Sequence, residues 1–458
     1  MKSSYRFLLA VAAGAGAYAA ARVEQGRMRR RLAARAPAGA PRVVVLGGGF
    51  AGLQAVKDLA ARLAGRARIV LVDRRNYFLF TPMLYQAAMG GVTFRDIVHP
   101  LRRLVARGGA QFCRAEVEGV DFNARRVRLD SGELAYDYLV VALGSTTNYF
   151  GNDAVRAHTL PLKQIEDAIA IRNRLVDMLE DAAIENDPAK RRAMLTVAVV
   201  GGGATGVETA AACAALFRRI IPRDYSNLDA REARVVLVEA TPKLLGHMGA
   251  EIASIALAEL RKMGVEVLLN VSAQSAGPGV LTLSGGRAIE AGTIVWATGV
   301  KAPEAVARME APHGPGGSLA VDEFLRAPGC AGVYAAGDSA YIAGLPLLAA
   351  VAMQQGEAVA RNIARAIEGR KPVAFRYRNY GEVISLGPKA GAAEVRGTVI
   401  NGLAGWFMWR VVHLARLTSF RNKAASALDW TAGYITEQDT TRLEVKPSYG
   451  EHARRAGG

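Results

Sequence analysis

The chain has 458 residues, 51% of them hydrophobic, which is too long for one ordinary core and too apolar for a disordered polymer. Its formal net charge of +17 is concentrated at the ends, with nine Lys/Arg against one acid over residues 1–42 and thirteen against seven over residues 371–458; this excludes a strongly basic central cleft and leaves arms for an anionic surface, membrane lipid or nucleic acid, or a merely solvated basic surface. Three cysteines, Cys113, Cys213 and Cys330, stand at no metal-ligand or disulfide-framework spacing and form no CxxC pair, so redox chemistry through a cysteine pair is unsupported, no metal is expected and a reducing compartment is indicated.

Phe7 to Ala21 is a charge-free run of fifteen residues behind Lys2 and Arg6. Its Ala17-Tyr18-Ala19 triplet resembles the cleavage site of a secretory signal. The cluster Arg22, Arg27, Arg29, Arg30, Arg31 and Arg35 that follows resists translocation and fits a short anchor with the body kept inside. The run is shorter than the roughly 20 residues of a full span, so residues 1–41 are expected to be an anchor or targeting segment.

PRVVVLGGGFAG then joins an apolar β-branched run to Gly47-x-Gly49-x-x-Gly52, with a helical stretch from Ala51 to about Leu63 and a second strand, RIVLVD, ending at Asp73. In such a turn the first glycine permits the tight bend, the second lets the backbone approach a pyrophosphate, and the third lets helix and strand pack closely. The acid closing the second strand bonds ribose. Asp73 stands twenty-one residues after Gly52, as that arrangement requires.

The phrase recurs at VAVVGGGATGVETAA. Gly201-x-Gly203-x-x-Gly206 follows the strand TVAVV and precedes the helix ETAAACAALF. Its acid, Glu239, closes RVVLVE thirty-three residues after Gly206, and IIPRDYSNLDAREA reads as an insertion between helix and strand that accounts for the excess. A carboxylate there bonds both ribose hydroxyls and repels a 2′-phosphate, which predicts a preference for NAD over NADP. Two further strands, YDYLVVALGS and TIVWATGV, end in small-residue turns at Gly144 and Gly299, where the chain crosses between two nucleotide domains. GVYAAGDSA then delivers Asp338 to a helix start, where an acid can bond a ribityl chain.

These residues resemble the two-dinucleotide-binding flavoproteins and, among them, the type II NADH dehydrogenases, the single-chain NADH:quinone oxidoreductases. The resemblance covers about residues 42–440. Beyond the glycine turns it is carried by VDRRNYFLFTPMLYQAA, LGSTTNYFG, VEATPKLL, WATGVKAP, YAAGDSA and FRYRNYGEVISLG. It implies an α/β fold with two Rossmann-like domains: an FAD domain split into 42–155 and 290–370, an NADH domain inserted at 156–289, and a C-terminal membrane-associating segment, 371–458. It also implies hydride transfer from NADH to FAD and reduction of a membrane quinone without proton pumping.

Carried over by position, Gly47, Gly49, Phe50, Ala51, Gly52, Asp73, Arg74, Gly144 and Asp338 would contact FAD. Gly201, Gly203, Ala204, Thr205, Gly206, Glu239 and Gly299 would contact NADH. Glu208 corresponds to the family's acid in the first helical turn near nicotinamide and flavin, and its alternative role is compensation of the helix dipole. The family's quinone-side Ala-Gln-x-Ala-x-Gln is here Ala349-Ala350-Val351-Ala352-Met353-Gln354, so Gln354 is kept and Ala350 replaces the first glutamine, which leaves the quinone's identity open. Lys389 falls where the C-terminal segment returns toward the flavin in related enzymes, or is a solvated lysine.

Residues 401–436 hold Trp406, Trp409 and Trp430 among Arg410, Arg416, Arg421 and Lys423, with no charge-free run of spanning length. This mixture fits a segment lying in the headgroup plane of an anionic membrane, or a core-packed or dimerising helical pair. The resemblance, together with this segment, implies a membrane quinone, a homodimer and a place on the cytoplasmic face of a bacterial inner membrane. Sulfide:quinone chemistry would need cysteines flanking the flavin, and a nucleic-acid-binding redox sensor would need a binding motif; neither is present, so no nucleic-acid partner is expected.

Overall fold

Strand β1 (Arg42–Leu46) forms because its β-branched run is buried, four of its five residues lying in the core. The computed structural model describes Pro37, residues 39–432 and residues 441–443; the anchor expected over 1–41 lies outside the described residues up to residue 36. Helix α1 (Phe50–Leu63) follows, starting one residue before the expected Ala51 and ending in Ala64, which takes the left-handed conformation at φ 42°. Strand β2 (Arg68–Asp73) returns parallel to β1, pairing Leu46 with Val72, so the acid that closes β2 comes level with the glycine turn.

The chain continues through the short helix α2 (Leu84–Ala88) to β3 (Gln111–Arg114), parallel to β2, and β4 (Tyr138–Val141), parallel to β1. A second layout begins with β5 (Leu160–Pro161) and the long helix α3 (Ile165–Ile184), whose start carries a capping box between Gln164 and Asp167. Strand β6 (Thr196–Val200), helix α4 (Ala204–Asp224), strand β7 (Arg234–Val238), helix α5 (Ala250–Lys262), strand β8 (Glu266–Leu268) and strand β9 (Thr293–Trp296) complete it. Helix α4 runs through IIPRD, with Pro222 inside it, so the first third of the expected insertion is helical and only YSNLDAREA forms the connection.

The last third adds β10 (Val333–Ala335) and helix α6 (Ala349–Ile367), then the antiparallel strands β11 (Glu382–Ser385), β12 (Gly391–Val395) and β13 (Thr398–Asn401), and helices α7 (Gly402–Arg416) and α8 (Phe420–Ala432).

Two units result, each with its own parallel five-stranded sheet. The first comprises the described residues up to Phe78, His99–Thr146 and Val300–Arg378, and its sheet has the order β10-β4-β1-β2-β3. The second comprises Leu79–Val98, Thr147–Gly299 and the described residues from Asn379 onward, and its sheet has the order β5-β9-β6-β7-β8. Three positions match between the sheets. In each, the strand before the glycine turn is central, the acid-bearing strand lies on one side and the strand ending in a small-residue turn lies on the other. The first core packs Val44, Leu46, Leu139 and Val141 among other fully buried side chains; the second packs Ala198, Val236, Ile294 and Trp296. Parallel sheets of this kind are apolar on both faces, which explains why their strands read as unbroken hydrophobic runs.

Candidate nucleotide and acid sites

The first glycine turn shows what each glycine is for. Gly47 has φ +98°, and a Cβ on it would come within 2.2 Å of the Ala142 carbonyl oxygen, at the end of β4. A Cβ on Gly52 would lie 1.9 Å from the Gly47 carbonyl oxygen, so helix and turn touch backbone to backbone. Gly49, at the mouth of α1, would have nothing within 4 Å of its Cβ. Packing therefore explains Gly47 and Gly52 and leaves Gly49 unexplained, as a cradle for close approach of a ligand would. Asp73 ties the turn to β2: its Oδ2 accepts the Gly48 N–H at 2.6 Å and its Oδ1 the Arg75 N–H at 2.7 Å. Burial pushes the Asp73 carboxyl above its ordinary range, against the pull of those two donors.

Other residues expected at this site fall in the same unit. Phe50 meets Phe78 edge-to-face at 5.1 Å, and Ala51 packs so tightly that a Cβ on Gly356 of α6 would lie 2.3 Å from its carbonyl oxygen. Ser145 donates to Asp338 Oδ2, and Ser339 Oγ donates to the Gly144 carbonyl at 3.2 Å, which brings the Gly144 turn beside the Asp338 turn. Arg74 points to Glu116 at 3.6 Å, a half-exposed pair. On α6, Ala349 and Ala350 are the first two residues, and Gln354 grips the backbone of Arg378 from both ends of its amide, at 2.9 and 3.0 Å. Gln355, which sequence reasoning missed, faces inward, and its Oε1 accepts the Gly337 N–H at 2.6 Å. One residue along a helix turns the side chain by about 100°, and that is the only signal that separates the two glutamines.

The second turn repeats the first. Gly201 has φ +113°, and its Cβ would lie 2.8 Å from the Ala297 carbonyl oxygen at the end of β9. The Cβ of Gly206 would lie 1.7 Å from the Gly201 carbonyl oxygen, and Gly203 again has nothing within 4 Å. Glu239 Oε2 accepts the Gly202 N–H at 2.6 Å and Oε1 the Thr241 N–H at 2.7 Å, the same two-point grip that Asp73 makes. Ala204 opens α4, and the Thr205 carbonyl accepts from Thr209 Oγ1 at 2.6 Å. Gly299, at φ +69°, closes against Phe150.

Glu208 is the fifth residue of α4, so it stands at the start of the second turn rather than in the first as expected, and the first turn holds no acid. It is only 8% exposed. Its Oε1 accepts two hydrogen bonds, from the Ser385 N–H at 3.0 Å and from the Trp409 indole N–H at 2.9 Å. Burial outweighs these donors and pushes the carboxyl up to about 8, so it holds a proton at neutral pH. Tyr85 of α2 is also buried here, its own ionisation pushed well up by desolvation and then by Glu208. Dipole compensation does not explain a carboxyl that is protonated at pH 7. Lys389 is exposed at the tip of the β11–β12 hairpin, in the left-handed conformation at φ +61°.

The family model for pyridine nucleotide-disulphide oxidoreductases matches residues 41–356. A type II NADH:quinone oxidoreductase of Mycobacterium tuberculosis is 32% identical over 413 residues, which cover 86% of this chain and 88% of the relative. The chain belongs to the type II NADH:quinone oxidoreductases of that family. Another type II NADH:quinone oxidoreductase, from Staphylococcus haemolyticus, is 32% identical over 81% of this chain and 94% of the relative. In three dimensions the chain is similar to the Plasmodium falciparum NDH2 solved in complex with NADH, with a TM-score of 0.81 and 19% identity over 88% of this chain and 99% of that one. At that identity the likeness shows a shared fold.

No disulfide joins any two cysteines of this type II NADH:quinone oxidoreductase. Its three cysteines are free. Cys213, on α4, is fully buried with its Sγ 3.6 Å from Met89 Sδ, and burial pushes its thiol up to about 12. Cys113 and Cys330 pack against the first core.

Proposed function

We propose that the chain oxidises NADH and reduces a membrane quinone, with FAD held at the first glycine turn and NADH at the second. The observation that carries this reading is the duplicated turn. Two sheets of matching order each present a glycine whose Cβ would meet nothing, Gly49 and Gly203, above an acid gripped to its own turn, Asp73 and Glu239. The residues present therefore fit two dinucleotides.

Held at the turn of Gly47, Gly49 and Gly52, FAD would supply two-electron relay chemistry between nicotinamide and quinone. The chain's own residues do the rest. The backbone N–H groups at the starts of α1 and α4 would meet a pyrophosphate with the positive ends of two helices. Asp338, oriented by Ser145, is set to bond the ribityl chain, and Glu239 selects NADH over NADPH by charge. Hydride brings two electrons and one proton, and a quinol needs a second proton. Glu208 is a buried carboxyl able to hold one at neutral pH. Gln354 shapes the acceptor side by holding the Arg378 backbone.

Docking on an anionic membrane is supported by α7. Leu403, Phe407 and Val411, one turn apart, are 63%, 63% and 44% exposed, while Trp409 and Trp430 point inward. Among the described residues no helix is long and apolar enough to cross a membrane, so this row supports docking in the interface plane.

The test is a flavin-bleaching assay. Purified, flavin-loaded protein is mixed with NADH or NADPH and reoxidised with ubiquinone or menaquinone analogues. Bleaching by NADH and reoxidation by a quinone are expected; a colourless protein that takes up no flavin would overturn the reading.

A further inference from the structure

Three elements of the second unit converge on one oxygen. The Glu208 Oε1 receives the Ser385 backbone N–H from β11 and the Trp409 indole N–H from α7, and among the described residues no hydrogen bond reaches Oε2. A carboxylate oxygen has two lone pairs in the carboxyl plane, so both acceptor directions of Oε1 are engaged. The proton of the neutral acid is therefore directed to Oε2, because a hydroxyl at Oε1 would oppose two donors.

The indole that makes this contact is locked. Trp409 is 1% exposed, stacks on His413 at 4.0 Å, meets Trp430 of α8 at 5.7 Å and meets the Tyr85 ring of α2 edge-on at 6.4 Å. A side chain packed on every face gives its N–H one direction. The titratable and charged groups around the carboxyl are Tyr85, whose hydroxyl accepts from Gln86 Nε2 at 3.1 Å, and, on α7, Arg410 beside Tyr85 and His413 behind the indole; burial pushes His413 down to about 4, so it is neutral at working pH.

We propose that Trp409 is the positioning residue of Glu208: its indole N–H, together with the Ser385 N–H, fixes the carboxyl so that Oε2 is the oxygen that carries and exchanges the proton. The inference rests on the proton-holding role given to Glu208 above. It assigns to α7 a part in the chemistry, separate from any contact with lipid.

The experiment uses the flavin-loaded full chain in four forms: parent, Trp409→Phe, Glu208→Gln and the double variant. Infrared spectroscopy follows the Glu208 carboxyl band through a pH titration, and steady-state kinetics give kcat against pH. Loss of one donor to the ionised form should move the carboxyl midpoint upward from about 8 by about one unit or more, and the limb of the kcat profile should move with it. The Trp409→Phe effect on kcat should vanish in the Glu208→Gln background, as a coupled pair requires.

An unmoved midpoint in Trp409→Phe, with Glu208→Gln slowed, overturns the inference alone. Parent-like turnover in Glu208→Gln overturns the role of Glu208 and the inference with it. Should Trp409→Phe not fold, the parent still decides. The chain has four tryptophans, so in 15N-indole-labelled protein one N–H resonance should titrate with the carboxyl midpoint and lose that titration in Glu208→Gln. Four pH-independent indole resonances would refute the contact.

Discussion

Two alanine substitutions three residues apart separate the packing role of the second glycine turn from its ligand role. A Cβ on Gly206 would sit 1.7 Å from the Gly201 carbonyl oxygen, where ordinary contact begins near 3.4 Å, so the backbone must give by about 1.7 Å. Overpacking of that kind costs about 1–3 kcal/mol or more, and at roughly 2–4 °C per kcal/mol for a unit of this size the melting temperature should fall by several degrees. Gly203 is different: its φ of −72° suits any residue, and its Cβ would meet nothing within 4 Å. Gly203→Ala should cost no more than about 1 kcal/mol as an N-cap change. It would, however, place a methyl where, on the proposed reading, the backbone approaches the pyrophosphate. Loss of hydrogen bonds to a charged group, each about 1.5–3 kcal/mol, raises the KM for NADH by about ten- to a hundredfold. Thermal melts without NADH and steady-state KM values read the two effects separately. A Gly203→Ala protein as destabilised as Gly206→Ala, or one with a parental KM, would refute the assignment of that glycine to the cofactor.

Replacing Glu239 with Ala removes the charge proposed to oppose a 2′-phosphate, and the ratio of kcat/KM for NADH over NADPH should drop at least about tenfold; an unchanged ratio removes Glu239 from that role. Gln355→Ala strips the buried Gly337 N–H of its acceptor and should cost about 1–3 kcal/mol together with flavin affinity, whereas Gln354→Ala loosens only the Arg378 backbone and should cost less; denaturant melts and flavin titration compare them, and the reverse ranking would contradict the geometry. Glu208 in the fold titrates near 8, well above an unfolded value of about 4.3. Between those values the folded state binds more protons, so stability falls as pH rises from about 4.5 to about 8, by up to about 1.4 kcal/mol per unit. Glu208→Gln should flatten that slope between pH 5 and 8, and identical slopes in both proteins would refute the buried, neutral acid.

The duplicated nucleotide folds were legible because their signals are local. β-Branched runs, glycines at fixed spacing and an acid at a strand end all lie within a few dozen residues, and the sheet register places Asp73 and Glu239 beside their turns. The continuation of α4 through Pro222 was hidden, since a proline near a helix end reads as a stop. The surroundings of Glu208 could not be read for a different reason: Tyr85, Ser385 and Trp409 come from segments 123, 177 and 201 positions away, and no periodicity joins them. The last segment read as one lying in the headgroup plane or as a core-packed or dimerising helical pair, and two of its indoles are buried, the N–H of Trp430 spent on Gln86 Oε1 at 2.9 Å and that of Trp409 on Glu208. The outward row is made instead by Leu403, Phe407 and Val411, which composition alone did not distinguish.

The chain passes between its two units five times, and this bears on how it is born. Strand β4 ends at Val141, but the neighbour that covers its outer edge, β10, begins at Val333, roughly 190 residues later. At about 5–20 residues per second, a ribosome leaves that edge bare for about 10–40 seconds. A naked parallel edge is a template for other chains. Nascent polypeptide cut short anywhere in that interval should aggregate as a half-built sheet, because the order in which the strands are made leaves that edge unpaired.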